Sequence, residues 1–200
     1  MKILCLYNNK CALPLFDWLV KQGHECVLWN DKLDDQWVEV QGFDLVFSYT
    51  YSRMIRKAVM DAVGGNVVNL HTSFLPFNRG VDPNMWSLAE DTPRGVTLHY
   101  IDEEVDKGWI IYQEIAPVGN IGEATLRTTY NDLDKAAQEV FKKAFAFYRF
   151  WPEMAKQAEG RGTYHNDKQG EKLRERITSY DMSVKEFLKI IKGDLANGKG

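Results

Sequence analysis

Hydrophobic and polar positions fall into blocks whose period changes repeatedly along this 200-residue chain. Residues 2–7 (KILCLY) make a short apolar run, the pattern of a buried strand. Residues 13–24 (LPLFDWLVKQGH) put Leu13, Phe16 and Leu19 at helical spacing, with Gly23 as a helix stop. Residues 25–30 (ECVLWN) predict a second strand, residues 32–41 carry only a weak pattern, and residues 43–49 (FDLVFSY) are apolar again. Residues 52–65 (SRMIRKAVMDAVGG) predict a helix ending at Gly64 and Gly65, and residues 66–71 (NVVNLH) predict another strand. Strands alternating with helices point to an α/β fold, a mostly parallel sheet with helices on both faces.

In the second half, Asp82 reads as an N-cap, with Pro83 at the first position of a short helix reaching about Glu90. Residues 95–102 and 109–117 alternate like strands. Residues 126–151 read as one long helix that Pro152 ends or kinks. From Gly160 the chain turns polar, then closes with a predicted helix. There Ser183 and Glu186 have capping-box spacing and Gly193 gives the stop. The expected organisation is one domain over residues 1–160, with residues 161–200 as a short helical C-terminal tail rather than an independent domain.

Sheets of this kind bind ligands beyond the carboxyl ends of their strands. Asn69 and His71 lie at such an end, and being two apart on a strand they project together. An amide and an imidazole side by side suit an oxygen that gains negative charge during a reaction. Asp102, Glu103, Glu104 and Asp106, in a turn between predicted strands, offer carboxylates to move protons, and spacing does not choose among them. Each also has a plain structural use: Asn69 as a loop cap, His71 as a satisfied strand-end residue, the acidic turn as solvated surface.

Composition narrows the partners. Net charge is -3 and the sequence pI about 5.8, which argues against nucleic-acid binding through an overall basic excess. No apolar run is long enough to span a bilayer, and MKILCLY is followed at once by the polar NNK, so no membrane segment or leader is expected. Cys5, Cys11 and Cys26 lack C-x-x-C spacing, so neither a zinc site nor a disulfide framework is indicated. Free thiols packed as small hydrophobes and a cytoplasmic location are the expectation.

Two stretches carry a resemblance. N-L-H-T-S-F-L-P-F-N-R-G (residues 69–80) and G-V-T-L-H-Y-I-D-E-E-V-D-K-G (residues 95–108) resemble, in order and spacing, the folate-dependent formyltransferases. The resemblance covers about residues 2–116. It implies a Rossmann-like formyltransferase fold, N10-formyltetrahydrofolate as formyl donor, an amine as acceptor and no metal. It places the family's catalytic residues on Asn69, His71 and Asp106. Asn69 and His71 would donate to the oxyanion, and Asp106 would pair with His71 and take the amine's proton through water. YSRMI (Tyr51, Ser52, Arg53, Met54, Ile55) matches the wall of the family's pterin pocket, and the resemblance has the backbone of the turn from Asp102 to Asp106 close its other side, with Asp102 and Val105 as cofactor contacts.

Three branches of that family compete for the acceptor. Methionyl-tRNA formyltransferase carries a further C-terminal barrel, for which this chain is too short, and a tRNA substrate would favour a basic excess. Glycinamide ribonucleotide formyltransferase has a Gly-Ser-rich phosphate loop after its first strand, where this chain reads LYNNKCALPL without a glycine. The third branch formylates nucleotide-linked amino sugars for bacterial surface polysaccharides, and FNRGVDPNMW resembles it most. The resemblance therefore implies a sugar N-formyltransferase. The candidate substrate residues are Phe77, Asn78, Arg79, Asp82, Asn84 and Trp109, the partner is a nucleotide-linked amino sugar, and a homodimer is one expected assembly. Glycinamide ribonucleotide formylation and formyltetrahydrofolate hydrolysis are the alternatives.

Overall fold

In the computed structural model residues 1–116 and 119–196 are described, the side chains of residues 194–196 apart. The predicted strand end at Pro117 falls outside them. The strands are β1 (Lys2–Leu6), β2 (Glu25–Trp29), β3 (Leu45–Tyr49), β4 (Val67–His71), β5 (Arg79–Gly80), β6 (Gly95–Tyr100), β7 (Ile110–Ile115) and β8 (Tyr164–His165). Six form one sheet in the order β2-β1-β3-β4-β6-β7, while β5 pairs with β8. β1 pairs in parallel with β2 and β3, and β3 with β4. By contacts the chain divides into two compact units. The first comprises Met1–His71, Leu98–Tyr112 and Ala144–Gln157, and the second Thr72–Thr97, Gln113–Lys143 and the chain from Ala158 onward.

In the first unit, β1 is buried from Ile3 through Leu6, so it must be covered on both faces. Leu4 and Leu6 share a core with Val38 of α2 (Asp35–Gln41) and with Val59 and Met60 of α3 (Lys57–Ala62). α1 (Leu13–Lys21) buries Leu15, Phe16 and Leu19, and Phe16 meets Phe47 of β3 edge-on at 5.7 Å. α2 lies in the weakly patterned stretch. Val38 is its one buried residue, and its ends are set by Asp34, which accepts from Trp37 N at 2.8 Å, and by Gly42 at φ 62°. α3 begins at Lys57 and not at Ser52, because Ile55 already enters the core from a non-helical approach. The cysteines are free, but only Cys5 is buried; Cys11 and Cys26 are half-buried. A hydrogen bond with the Cys26 thiol, together with burial, pushes the Cys5 thiol well above the ordinary range.

The second unit contains α4 (Pro83–Ala89), most of α5 (Leu126–Phe145), α7 (Asp167–Arg174) and α8 (Val184–Ala196). Met85 and Leu88 of α4 and Leu126 of α5 share a core with Leu173, Met182, Val184, Phe187 and Ile191. The polar stretch after Gly160 thus leads into residues that bury apolar surface. Three boundary expectations are corrected. Asp82 precedes α4 at φ 52° without a side-chain cap bond, and its carboxylate instead pairs with Arg174. The long helix ends at Phe145, and Pro152 occupies the first turn of α6 (Trp151–Met154), where its missing N–H costs nothing. Gly193 lies inside α8, whose start is capped as expected by Ser183 Oγ accepting from Glu186 N at 3.1 Å.

Candidate active site

β3 is buried along its whole length, and Ser48 is a polar side chain inside it. The parallel register sets Ser48 beside Asn69 of β4. Ser48 Oγ donates to Asn69 Oδ1 at 2.9 Å, which fixes the amide with its nitrogen pointing the other way. Asn69 Nδ2 then lies 3.3 Å from His99 Nε2. His99 Nδ1 is 2.7 Å from the Tyr100 carbonyl, which can only accept, so Nδ1 carries a hydrogen, and Nε2 accepts from Asn69 when it carries none. β6 neighbours β4 in the sheet, and Ile101 N also donates to Val67 O at 2.8 Å, which keeps His99 next to Asn69. This chain of partners leaves one Asn69 amide hydrogen for a ligand.

His71, 9% exposed, completes the edge. Its Nε2 lies 3.5 Å from Asp106 Oδ2, while His99 Nε2 lies 3.5 Å from Asp106 Oδ1. The carboxylate therefore faces both imidazoles, whose rings meet edge-on at 6.4 Å. At 3.5 Å these contacts are looser than hydrogen bonds, as is common before a substrate draws a catalytic site together.

The turn after β6 holds Asp106 with local bonds. Asp102 Oδ1 accepts from Glu104 N at 2.8 Å, Lys107 pairs with Glu104, and Tyr100 N donates to Trp109 O at 2.9 Å. Asp106 has φ 51°, a left-handed conformation that Asp and Asn tolerate better than other side chains. Gly108 is needed for a different reason: a Cβ there would stand 1.8 Å from the Tyr100 carbonyl oxygen. Gly108→Ala is expected to destabilise the protein by about 2 kcal/mol or more and to reduce turnover with it, because the turn must move. A melting temperature and turnover number unchanged from wild type would show that the turn does not depend on this contact.

The other candidate residues divide. Tyr51 donates to Asp31 O at 2.7 Å and Arg53 pairs with Asp31 at 3.0 Å. Ser52 binds Asn8 Oδ1 through its N–H at 2.8 Å and through its hydroxyl at 2.9 Å. Ile55 belongs to the core, whereas Met54, Val105 and Trp109 expose apolar surface, Met54 by 79%. In the second unit, Phe77 and Arg79 are half-buried. Asn78 is wholly buried, and its amide donates to Thr92 Oγ1 at 2.7 Å and accepts from Thr163 Oγ1 at 3.2 Å. Asn84 is buried too, bonded to Leu126 O, Thr129 Oγ1 and the Arg94 guanidinium. That guanidinium's pKa is pulled down by burial to about 10. Asn78 and Asn84 therefore serve the interior, and Asp82 serves Arg174. The reading by residue type passed over Ser48 and took His99 only as part of a motif. Each could have been found as a polar residue inside an otherwise apolar strand. Among the described residues no group of histidines, cysteines and carboxylates is placed to hold a metal.

Comparison with known proteins identifies the frame. The formyl transferase family profile matches residues 24–145. The chain belongs to the formyl transferase family. Among family members, the methionyl-tRNA formyltransferase of Fusobacterium nucleatum is 32% identical over 102 residues, 50% of this chain and 32% of that protein. The dTDP-4-amino-4,6-dideoxyglucose formyltransferase of Mycobacterium tuberculosis is 39% identical over 74 residues, 37% of this chain and 31% of that protein. The matches thus span about a third of these relatives' lengths. Among solved structures, the formyltransferase PseJ of Anoxybacillus kamchatkensis was determined with UDP-4,6-dideoxy-4-formamido-L-AltNAc and tetrahydrofolate. It superposes with a TM-score of 0.83 at 32% identity, over 96% of this chain and 100% of that one. The expected formyltransferase fold, with its mostly parallel sheet, is the one observed.

Proposed function

We propose that this chain is a sugar N-formyltransferase, which moves the formyl group of N10-formyltetrahydrofolate to the primary amine of a nucleotide-linked amino sugar. The observation that carries the chemistry is the Asn69, His71 and Asp106 cluster, with His99 and Ser48 holding Asn69 in one orientation. The likeness to PseJ, end to end on both chains and with a formamido nucleotide sugar bound, supports the acceptor class.

The residues present fit a folate. A pterin needs an apolar slot with polar backbone around it; Met54 and Val105 expose apolar surface, Ile55 is in the core, and Tyr51 and Ile101 pack against that core. Met54, Ile55 and the turn from Asp102 through Val105 would hold the ring. The folate supplies a formyl carbon open to attack by a neutral amine. The free Asn69 amide hydrogen and His71 Nε2 are the groups that receive the charge growing on the formyl oxygen, each such donor contributing about 3 kcal/mol. Asp106, which faces His71, would take the proton that the amine must lose, and tetrahydrofolate would leave with a proton returned to its N10.

Folate binding is checked by thermal shift: saturating tetrahydrofolate is expected to raise the melting temperature by mass action, and no shift on folded protein removes the donor. A panel of dTDP- and UDP-linked amino sugars, glycinamide ribonucleotide and charged initiator tRNA decides the acceptor. Formylation of glycinamide ribonucleotide with no sugar accepted reverses the assignment, and formate release without any amine makes the chain a hydrolase.

A further inference from the structure

β1 and β2 lie side by side in the first unit, and β2 is the outermost strand of the sheet. Their parallel register sets Ile3 opposite Cys26 and Cys5 opposite Leu28. Partners in register share a face and side chains alternate along a strand, so Cys5 and Cys26 project from the same face, one diagonal step apart. It is the face away from the Leu4 and Leu6 core. On it Cys5 is opposite Phe47 of β3, whose ring meets Phe16 of α1. Cys5 is wholly buried there, whereas Cys26, on the edge strand, is half-buried and is the one that small solutes reach.

The two thiols share a hydrogen bond. With Cys5 as donor, that bond stabilises the charge of a Cys26 thiolate and holds the Cys26 pKa below the ordinary thiol value, against the opposing effect of burial. The same bond, with burial, keeps the proton on Cys5. An accessible sulfur with thiolate character beside a buried second thiol is the arrangement that reacts with a peroxide and then closes on its neighbour. Cys11 lies on the 3₁₀ turn Lys10–Ala12, outside both strands.

We propose that Cys26 is an oxidation site, which a peroxide converts to a disulfide with Cys5, and that this bridge slows formyl transfer. The Cys26 thiolate attacks one peroxide oxygen, the O–O bond breaks, and the leaving oxygen takes a proton to depart as water or an alcohol. Cys26 is then an uncharged sulfenic acid, so the charge that held the Cys5 proton is gone. The Cys5 sulfur attacks the Cys26 sulfur, the S–O bond breaks, and the Cys5 proton leaves with that oxygen as water. Over both steps each sulfur gives up one electron and the peroxide takes two. Diagonal neighbours sit farther apart than register partners, so an S–S bond of about 2.0 Å draws the strands together under strain. Strained bridges are the readily reduced ones, so a dithiol restores the pair. The strain falls on β1, whose Leu6 is opposite Ser48 of β3, and Ser48 orients Asn69. None of this depends on which amine is the acceptor.

The full chain is treated with hydrogen peroxide, mapped by mass spectrometry without reduction, and assayed for N10-formyltetrahydrofolate consumption with the acceptor it uses. Wild type is expected to lose two of its three free thiols, to yield a linked pair of peptides carrying Cys5 and Cys26, and to lose turnover about tenfold, restored by dithiothreitol. Cys26→Ser is expected to keep its turnover through the same treatment, and Cys11→Ser to respond as wild type does. Cys5→Ala is expected to leave Cys26 as a sulfenic acid that dimedone captures. Should that buried variant not fold, the peptide map of wild type and the Cys26→Ser variant decide the matter. Three thiols still free after peroxide, or a bridge that uses Cys11 or a second copy of the chain, overturns the site. A Cys5–Cys26 bridge with turnover unchanged, or a loss of turnover that persists in Cys26→Ser, overturns its effect on formyl transfer.

Discussion

Replacing His71 or Asn69 by alanine is expected to lower turnover about a hundred- to a thousandfold, the cost of losing one donor to a developing oxyanion. The two variants should nevertheless differ in stability. His71 faces Asp106 at 3.5 Å, and its removal leaves a carboxylate still opposite His99. Asn69 sits between Ser48 and His99. Its removal strands a buried hydroxyl and a buried ring nitrogen, each costing about 1–3 kcal/mol unless water replaces the amide. Asn69→Ala should therefore melt lower than His71→Ala while both remain folded. Asn69→Asp is the sharper variant, because it keeps the shape and turns the donor toward His99 into an acceptor. Single-turnover rates at saturating donor and acceptor measure the effect. Near-normal turnover in a folded His71 or Asn69 variant would remove that residue from the oxyanion site.

The sheet was legible because its strands are apolar runs, and a buried parallel strand has no polar face to confuse with a helix. β1, β3 and β4 lie within the stretches that predict them, and every residue of β3 is buried. α2 was obscured because it buries little beyond Val38 and its boundaries rest on Asp34 and Gly42 rather than on periodicity. The Asn-x-His pair was legible through its two-residue spacing and its place at a strand end. Its supports were not, since the bonds to Ser48 and His99 depend on strand neighbours that join distant parts of the chain. Asn78 and Asn84 show the converse. Polar residues in a loop after the Asn-x-His pair look like ligand contacts, yet Thr163, 85 positions further along the chain, takes up Asn78 and a buried arginine takes up Asn84. Residue type announces hydrogen-bonding capacity, and only the fold assigns the partner.

Asp106→Asn is expected to cut turnover about a thousandfold or more while leaving tetrahydrofolate affinity near wild type. The substitution suits the site because Asn, like Asp, accepts the left-handed φ of 51° that alanine or glutamate would strain. The turn should then keep its form, through Gly108 against Tyr100 and Asp102 on Glu104 N, and with it the exposed Val105 surface assigned to the pterin. What disappears is the anion between His71 Nε2 and His99 Nε2, and with it the carboxylate proposed to take up the amine's proton. The neighbouring carboxylates serve as internal controls. Glu103 and Glu104 are exposed and Glu104 is already paired with Lys107, so their Gln variants should stay within about twofold of wild type. Asp102→Asn keeps the oxygen that accepts from Glu104 N and should be mild. Turnover and tetrahydrofolate titration on the four variants separate proton transfer from pocket integrity. If a Glu103 or Glu104 variant is as impaired as Asp106→Asn, or if Asp106→Asn turns over normally, the proton acceptor is another carboxylate of the turn.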